Sequence, residues 1–234
     1  MQQKPIDRYP KLQARYKVLE QQIEAHINLG EKMLKADGGN VYTADLVMVA
    51  VLKRSLDLLD GIICLTDRWN FTSAAPLLRL QIDSLLKLVY LAYVGYADTV
   101  SIAILDEGIL DERKSFRKLK DSRGKLLTDA RLRDYARPFY PWLDRVYEET
   151  SKLIHLSGKH LSSTVQSVDG KTRTSEIFVG TGSRNWLESE IDNFLDAFGC
   201  TTDALLKVVL GWVISKDRAI KADAEAETAD RNSP

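Results

Sequence analysis

Two ladders of polar side chains stand out by their spacing. Arg79, Asp83 and Lys87 recur at i, i+4 and i+8. On a helix that places all three on one face and lets Arg79 pair with Asp83 directly. Tyr147, Ser151 and His155 repeat the same spacing. An imidazole at His155 suits general acid or base work near neutral pH, with Ser151 placed to hydrogen-bond it. His160 follows closely, so two of the three histidines in the chain bracket Leu156-Ser157-Gly158-Lys159. No third member completes a serine triad. Each ladder also has a plain structural meaning. The first can be a solvent-facing or subunit-facing stripe, and His155 can cap a helix end against a carboxylate.

Other patterns carry less chemistry. Neither Glu-x-x-His nor His-Glu-x-x-His occurs, so no metal site and no cofactor are expected. His26 reads as a surface or core-edge residue. Gly180-Thr181-Gly182-Ser183-Arg184-Asn185 imitates a dinucleotide loop, but Asn185 stands at the third glycine and no βαβ unit surrounds it. It reads as a helix-capping turn. Basic residues run from Arg113 to Arg137, diluted by Asp111, Glu112, Asp121, Asp129 and Asp134. That stretch is either a solvated face or a surface for a phosphate backbone.

The elements that must position these residues are helices. Leu12, Tyr16, Leu19, Ile23, Ile27 and Leu34 predict an amphipathic helix over 6–36. A second is predicted over 43–69, followed by a turn and N-cap at Asn70-Phe71-Thr72-Ser73. The third, over 73–96, is apolar on nearly every side, which marks a central helix. Pro76 is expected in its first turn, where its missing N–H costs nothing. Helices are also expected at 99–110, around 126–135, at 142–157 and at 184–216. Alternation on either side of Asp169-Gly170 predicts a small β-hairpin near 160–179, packed on the helices. The fold class is therefore all-α. It is a bundle of five to seven helices around the central one, forming one domain over 1–220 with a frayed tail over 221–234.

Composition is that of a globular protein, 44% hydrophobic and 28% charged. Lys plus Arg and Asp plus Glu are 33 each, so bulk charge draws the chain to neither nucleic acid nor anionic membrane. Cys64 and Cys200 lie in apolar helical sequence and are expected as buried free thiols of a reducing compartment. The apolar run 88–96 is far short of the roughly 20 residues of a membrane span. The expected location is cytoplasmic, with no membrane partner.

Three stretches together resemble a known group. They are RSLDLLDG beginning at Arg54, AAPLLRLQIDSLLKLVYL over 74–91, and YEETSKLIHLSGKH over 147–160. Their layout is similar to the HEPN superfamily of small helical bundles, through uncharacterised bacterial proteins of like pattern. Asp83 stands where Glu is usual, and the nearest Arg before His155 is Arg145, so the Arg-x4-6-His nuclease signature is absent. The resemblance implies either a non-catalytic binding module in a defence or toxin–antitoxin setting, or a metal-independent RNase. The candidate catalytic residues are His155, Ser151, Arg79 and Asp83; the candidate binding residues are Lys87, Tyr147, His160 and Arg54. A protein partner or a homodimer is the expected association, with RNA as an alternative.

Overall fold

The structure, a computed structural model, describes residues 4–93, 97, 100–102, 120, 121, 123–154, 164–177 and 186–231. The fold is all-α with a small antiparallel hairpin. In chain order the helices are α1 (Pro5–Arg8), α2 (Gln13–Lys35), α3 (Thr43–Asp67), α4 (Phe71–Tyr93), α5 (Asp129–Ala136), α6 (Leu143–Ile154) and α7 (Glu188–Arg231). Strands β1 (Val165–Asp169) and β2 (Thr174–Ile177) lie between α6 and α7. The expected helix at 99–110, most of the basic stretch before Lys120, His155, His160 and the loop 180–185 fall wholly or largely outside the described residues.

Helix α4 is central because it must be. It packs against α3, α5, α6 and α7, while α2 closes the bundle against α3 and α7. Its side chains Phe71, Leu78, Ile82, Leu85, Leu86 and Val89 are buried in the main core. Asn70 starts the helix: its Oδ1 accepts from the Ser73 N–H at 3.2 Å. The start therefore lies before Ser73, and Pro76 falls in the second turn rather than the first. There it removes the N–H that would reach the Thr72 carbonyl, which sits on an exposed residue and can be solvated. Gly61 of α3 meets α4 closely, since a Cβ there would stand 2.9 Å from Leu77 Cδ1.

Helix α2 turns a different face inward from the one its apolar residues suggest. Leu19, Gln22, His26, Leu29 and Met33 are buried, whereas Ile27 and Leu34 are about half exposed. His26 is thus a core residue. Its Nδ1 lies 2.6 Å from the Gln22 carbonyl, which can only accept, so the proton sits on Nδ1. Its Nε2 then accepts from the Ser55 hydroxyl at 2.7 Å. Ser55 Oγ accepts in turn from Gln81 Nε2 at 2.6 Å, and the same amide reaches Thr202 Oγ1 at 3.0 Å. One polar chain therefore links α2, α3, α4 and α7 through the core. Burial pushes the His26 imidazole below its ordinary pKa.

A second buried group ties the ends of the fold together. Lys216 of α7 and Asp45 of α3 pair at 2.7 Å, their side chains 3% and 1% exposed. Lys216 Nζ also donates to the carbonyls of Asn40 at 3.0 Å and Met33 at 3.2 Å. Asp45 accepts the Tyr42 N–H at 2.9 Å and the Trp212 indole at 2.6 Å. Part of α7, within Glu188–Arg218, is long and apolar enough to cross a membrane, but half of its most apolar stretch is buried in the bundle. The helix continues to Arg231, through the stretch marked for fraying.

Two further expectations change. Cys64 and Cys200 are free but exposed, because each sits on the outer side of its helix. The hairpin pairs Val168 with Ser175 and Asp169 with Thr174, around a loop of four residues rather than a tight Asp-Gly turn. Asp169 Oδ1 accepts the Lys171 N–H at 2.8 Å, and Arg173 takes a positive φ of 53° to close the loop. Val168 and Ile177 remain exposed instead of packing on the helices.

Candidate functional site

The stripe on α4 divides between two sets of partners. Arg79 does not pair with Asp83. Its Nη2 meets Asp129 Oδ2 at 2.7 Å, at the start of α5. Thr128 caps that helix by accepting the Arg131 N–H, so the Asp129 carboxylate also lies in the favourable field of a helix N-terminus. The Arg79 guanidinium carbon stands 3.7 Å from the centroid of the Tyr147 ring, a close cation–π contact. Tyr147 Oη donates to the same Asp129 oxygen at 3.2 Å. Arg133 stacks on the ring as well, at 4.3 Å. Arg79, with a side chain 13% exposed, is thereby held on all sides. Asp83 takes the other partners: Lys87 at 2.7 Å and Arg54 at 3.3 Å.

Of the ladder on α6, Tyr147 meets Arg79 across the bundle. Ser151 Oγ donates to the Tyr147 carbonyl at 2.7 Å, a bond back along its own helix. Thr150 does the same toward Val146 at 2.8 Å. Where the basic stretch is described, its three last arginines are paired with carboxylates. Arg131 pairs with Asp121 at 2.5 Å, Arg133 with Asp144 at 3.3 Å, and Arg137 with Asp144 at 2.8 Å and Asp134 at 3.0 Å. The backbone N–H of Lys125, then that of Arg123 and the charge of Arg131, hold the Asp121 carboxyl below its ordinary pKa. Among the described residues no group of three His, Cys, Asp or Glu side chains is arranged to hold a metal ion.

A cleft of about 460 Å³ opens on the other side of α6, between α4, α6 and α7. Its apolar wall is built from Leu78, Val146, Trp142, Trp186 and Phe194. Phe71 braces that wall from behind. Trp186 lies against it at 4.6 Å between ring centroids, and Phe194 meets it edge-on at 5.9 Å. Arg145, Glu149, Glu190 and Asp196 supply charge around the mouth. Cys200 is at the edge, and the partial desolvation of its sulfur, with the Asp196 carboxylate nearby, keeps its thiol above its ordinary pKa, unlike an activated nucleophile. Its volume lies in the range of small-molecule sites, and its lining is half apolar and half polar.

Comparison of the chain with family models, curated proteins and solved structures finds no match.

The sequence reading passed over this cleft, and over the two buried polar groups. One signal was available: Gln22 and His26 continue the spacing of Leu19, Leu29 and Met33, which places them on the buried face. For the cleft, the two tryptophans lie far apart in the chain and flank different helices, so no local pattern joins them.

Proposed function

We propose that this protein is a non-catalytic binding module, a HEPN-like helical bundle acting in the cytoplasm as part of a defence or toxin–antitoxin system, with a protein partner or as a homodimer. The observation that supports this reading is the state of the α4 stripe. Arg79, one of the candidate catalytic residues, is committed to Asp129 and Tyr147. Asp83 is matched by Lys87 and Arg54, and Ser151 is bonded to its own helix. Such groups are arranged to hold α4, α5 and α6 together rather than to move protons. Ligand recognition then belongs to the aromatic cleft on the opposite side of α6.

The experiment is incubation of the purified full chain with labelled single-stranded and structured RNA, with and without divalent metals, from pH 6 to 8. Intact RNA throughout is the expected result. Cleavage that disappears in His155→Ala would overturn the reading in favour of an RNase.

A further inference from the structure

The charges around the cleft are not equivalent. Three carboxylates lie there, and each is already engaged. Glu149 pairs with Lys152 at 2.6 Å. Glu190 accepts the Leu187 N–H at 3.0 Å. Asp196 pairs with Arg15, which also grips Asp192 at 2.8 Å. The donors are in the opposite state. Among the described residues Arg145 makes no hydrogen bond or ion pair, and neither the Trp142 nor the Trp186 indole N–H has an acceptor. Arg79 on α4, Arg131 and Arg133 on α5, and Arg137 just after it are each paired with a carboxylate. Arg145 on α6 has no such pair among the described residues, and it lines an aromatic-walled cleft.

From this excess of unused donors beside braced rings, and building on the binding reading above, we infer that the cleft takes a small aromatic carboxylate. Its ring lies against Trp142, Trp186 and Phe194, and its anionic oxygens meet Arg145. A guanidinium presents a planar fork of donors that matches a carboxylate with two parallel bonds. The indole N–H groups supply further donors along the wall. The volume of about 460 Å³ accommodates a bicyclic ring with a short acidic side chain. Trp186 and Phe194 already pack on Phe71, and Trp142 on Tyr140, so little ordering is needed on binding.

The test is calorimetric titration of the full chain with three probes that share one ring: indole-3-acetate, indole and tryptamine. At the 3-position they carry an anionic carboxymethyl group, no substituent and a cationic aminoethyl group respectively. The carboxylate is expected to bind at least about tenfold tighter than indole, the scale of one charge-assisted hydrogen bond. Tryptamine is expected to bind weakest. Arg145→Gln, which removes an exposed and unpaired charge and so leaves the fold intact, is expected to abolish the preference for the carboxylate. Trp186→Ala is expected to weaken all three. Equal binding of the probes, a preference for tryptamine, no binding of any probe at millimolar concentration, or an undiminished preference in Arg145→Gln would each overturn the assignment. Failure of the ligand with RNA left intact removes only the ligand class, whereas RNA cleavage removes the binding reading whatever the titration shows.

Discussion

Replacing Lys216 with Met keeps the length of the side chain and removes its charge. The effect follows from what Lys216 touches. Its ammonium donates to Asp45 at 2.7 Å, Asn40 at 3.0 Å and Met33 at 3.2 Å, all from a side chain 3% exposed. Without it, the Asp45 carboxylate keeps only the Tyr42 N–H and the Trp212 indole as donors and becomes an uncompensated buried charge. Breaking a buried pair from one side costs about 3–5 kcal/mol. For a chain of this size that lowers the melting temperature by roughly 6–20 °C. Urea unfolding followed by tryptophan fluorescence and by far-UV circular dichroism measures it as a lower midpoint at constant slope. Adding Asp45→Asn to Lys216→Met removes the stranded charge and is expected to return part of the loss. A Lys216→Met variant within about 1 kcal/mol of the parent would refute the argument, because no buried charge is that cheap to strand. Strict additivity of the two substitutions would refute it too.

Further outcomes follow from the same geometry. Arg79→Ala leaves Asp129 without its cation and uncovers the Tyr147 ring, so a loss of about 1–3 kcal/mol is expected in the same unfolding assay. Tyr147→Phe removes only one 3.2 Å bond and is expected to cost about 0.5–1.5 kcal/mol. Because burial lowers the His26 pKa in the folded state, the unfolded chain binds more protons below the ordinary histidine range. Stability contributed by neutral His26 is complete above about pH 6.5 and is lost as pH falls through that value toward the lowered folded pKa. Melting temperatures across pH 4–8 check this, and His26→Gln is expected to flatten the curve. Ser55→Ala strands both His26 Nε2 and one donor of Gln81, for an expected loss of about 1–3 kcal/mol. Gly61→Val drives side-chain carbons into Leu77, already 2.9 Å from a bare Cβ, and is expected to destabilise by about 1–3 kcal/mol as the α3–α4 contact opens.

What could be read from the sequence tracks how local the signal is. The central helix was legible because a segment apolar on all sides has one place to go. Its start falls at Phe71 rather than Ser73, since Asn70 and Ser73 are both good caps and the Asn70 side chain takes the role. The spacing of Arg79, Asp83 and Lys87 showed correctly that they share a face. It did not show that α5 would bring Asp129 to Arg79 and that Arg54 would reach Asp83 from α3. On α2 the apolar residues Ile27 and Leu34 drew the face away from Gln22 and His26. His26 is tolerated inside because the Gln22 carbonyl and the Ser55 hydroxyl match its two ring nitrogens, while Gln22 donates to the Gly199 carbonyl. Ser55 and Gly199 lie on other helices, where a helical periodicity carries no information. The aromatic cleft was hidden for the same reason: its walls come from α4, α6 and α7, and meet only in three dimensions.

The Asp45–Lys216 pair also sets an order of events during synthesis. The two residues are 171 positions apart. Until translation has passed Lys216, Asp45 has no counter-charge, and the carbonyls of Met33 and Asn40 have no donor. The nascent chain can form α2, α3 and α4 as local helices, yet their mutual packing leaves α4 with one side uncovered and a carboxylate unanswered. Closing so long a loop is slow, because its entropy is lost before the contacts are gained. The earlier helices must therefore wait for α7 before the buried pair can close. Apolar surface left uncovered over that interval is the kind that chaperones bind.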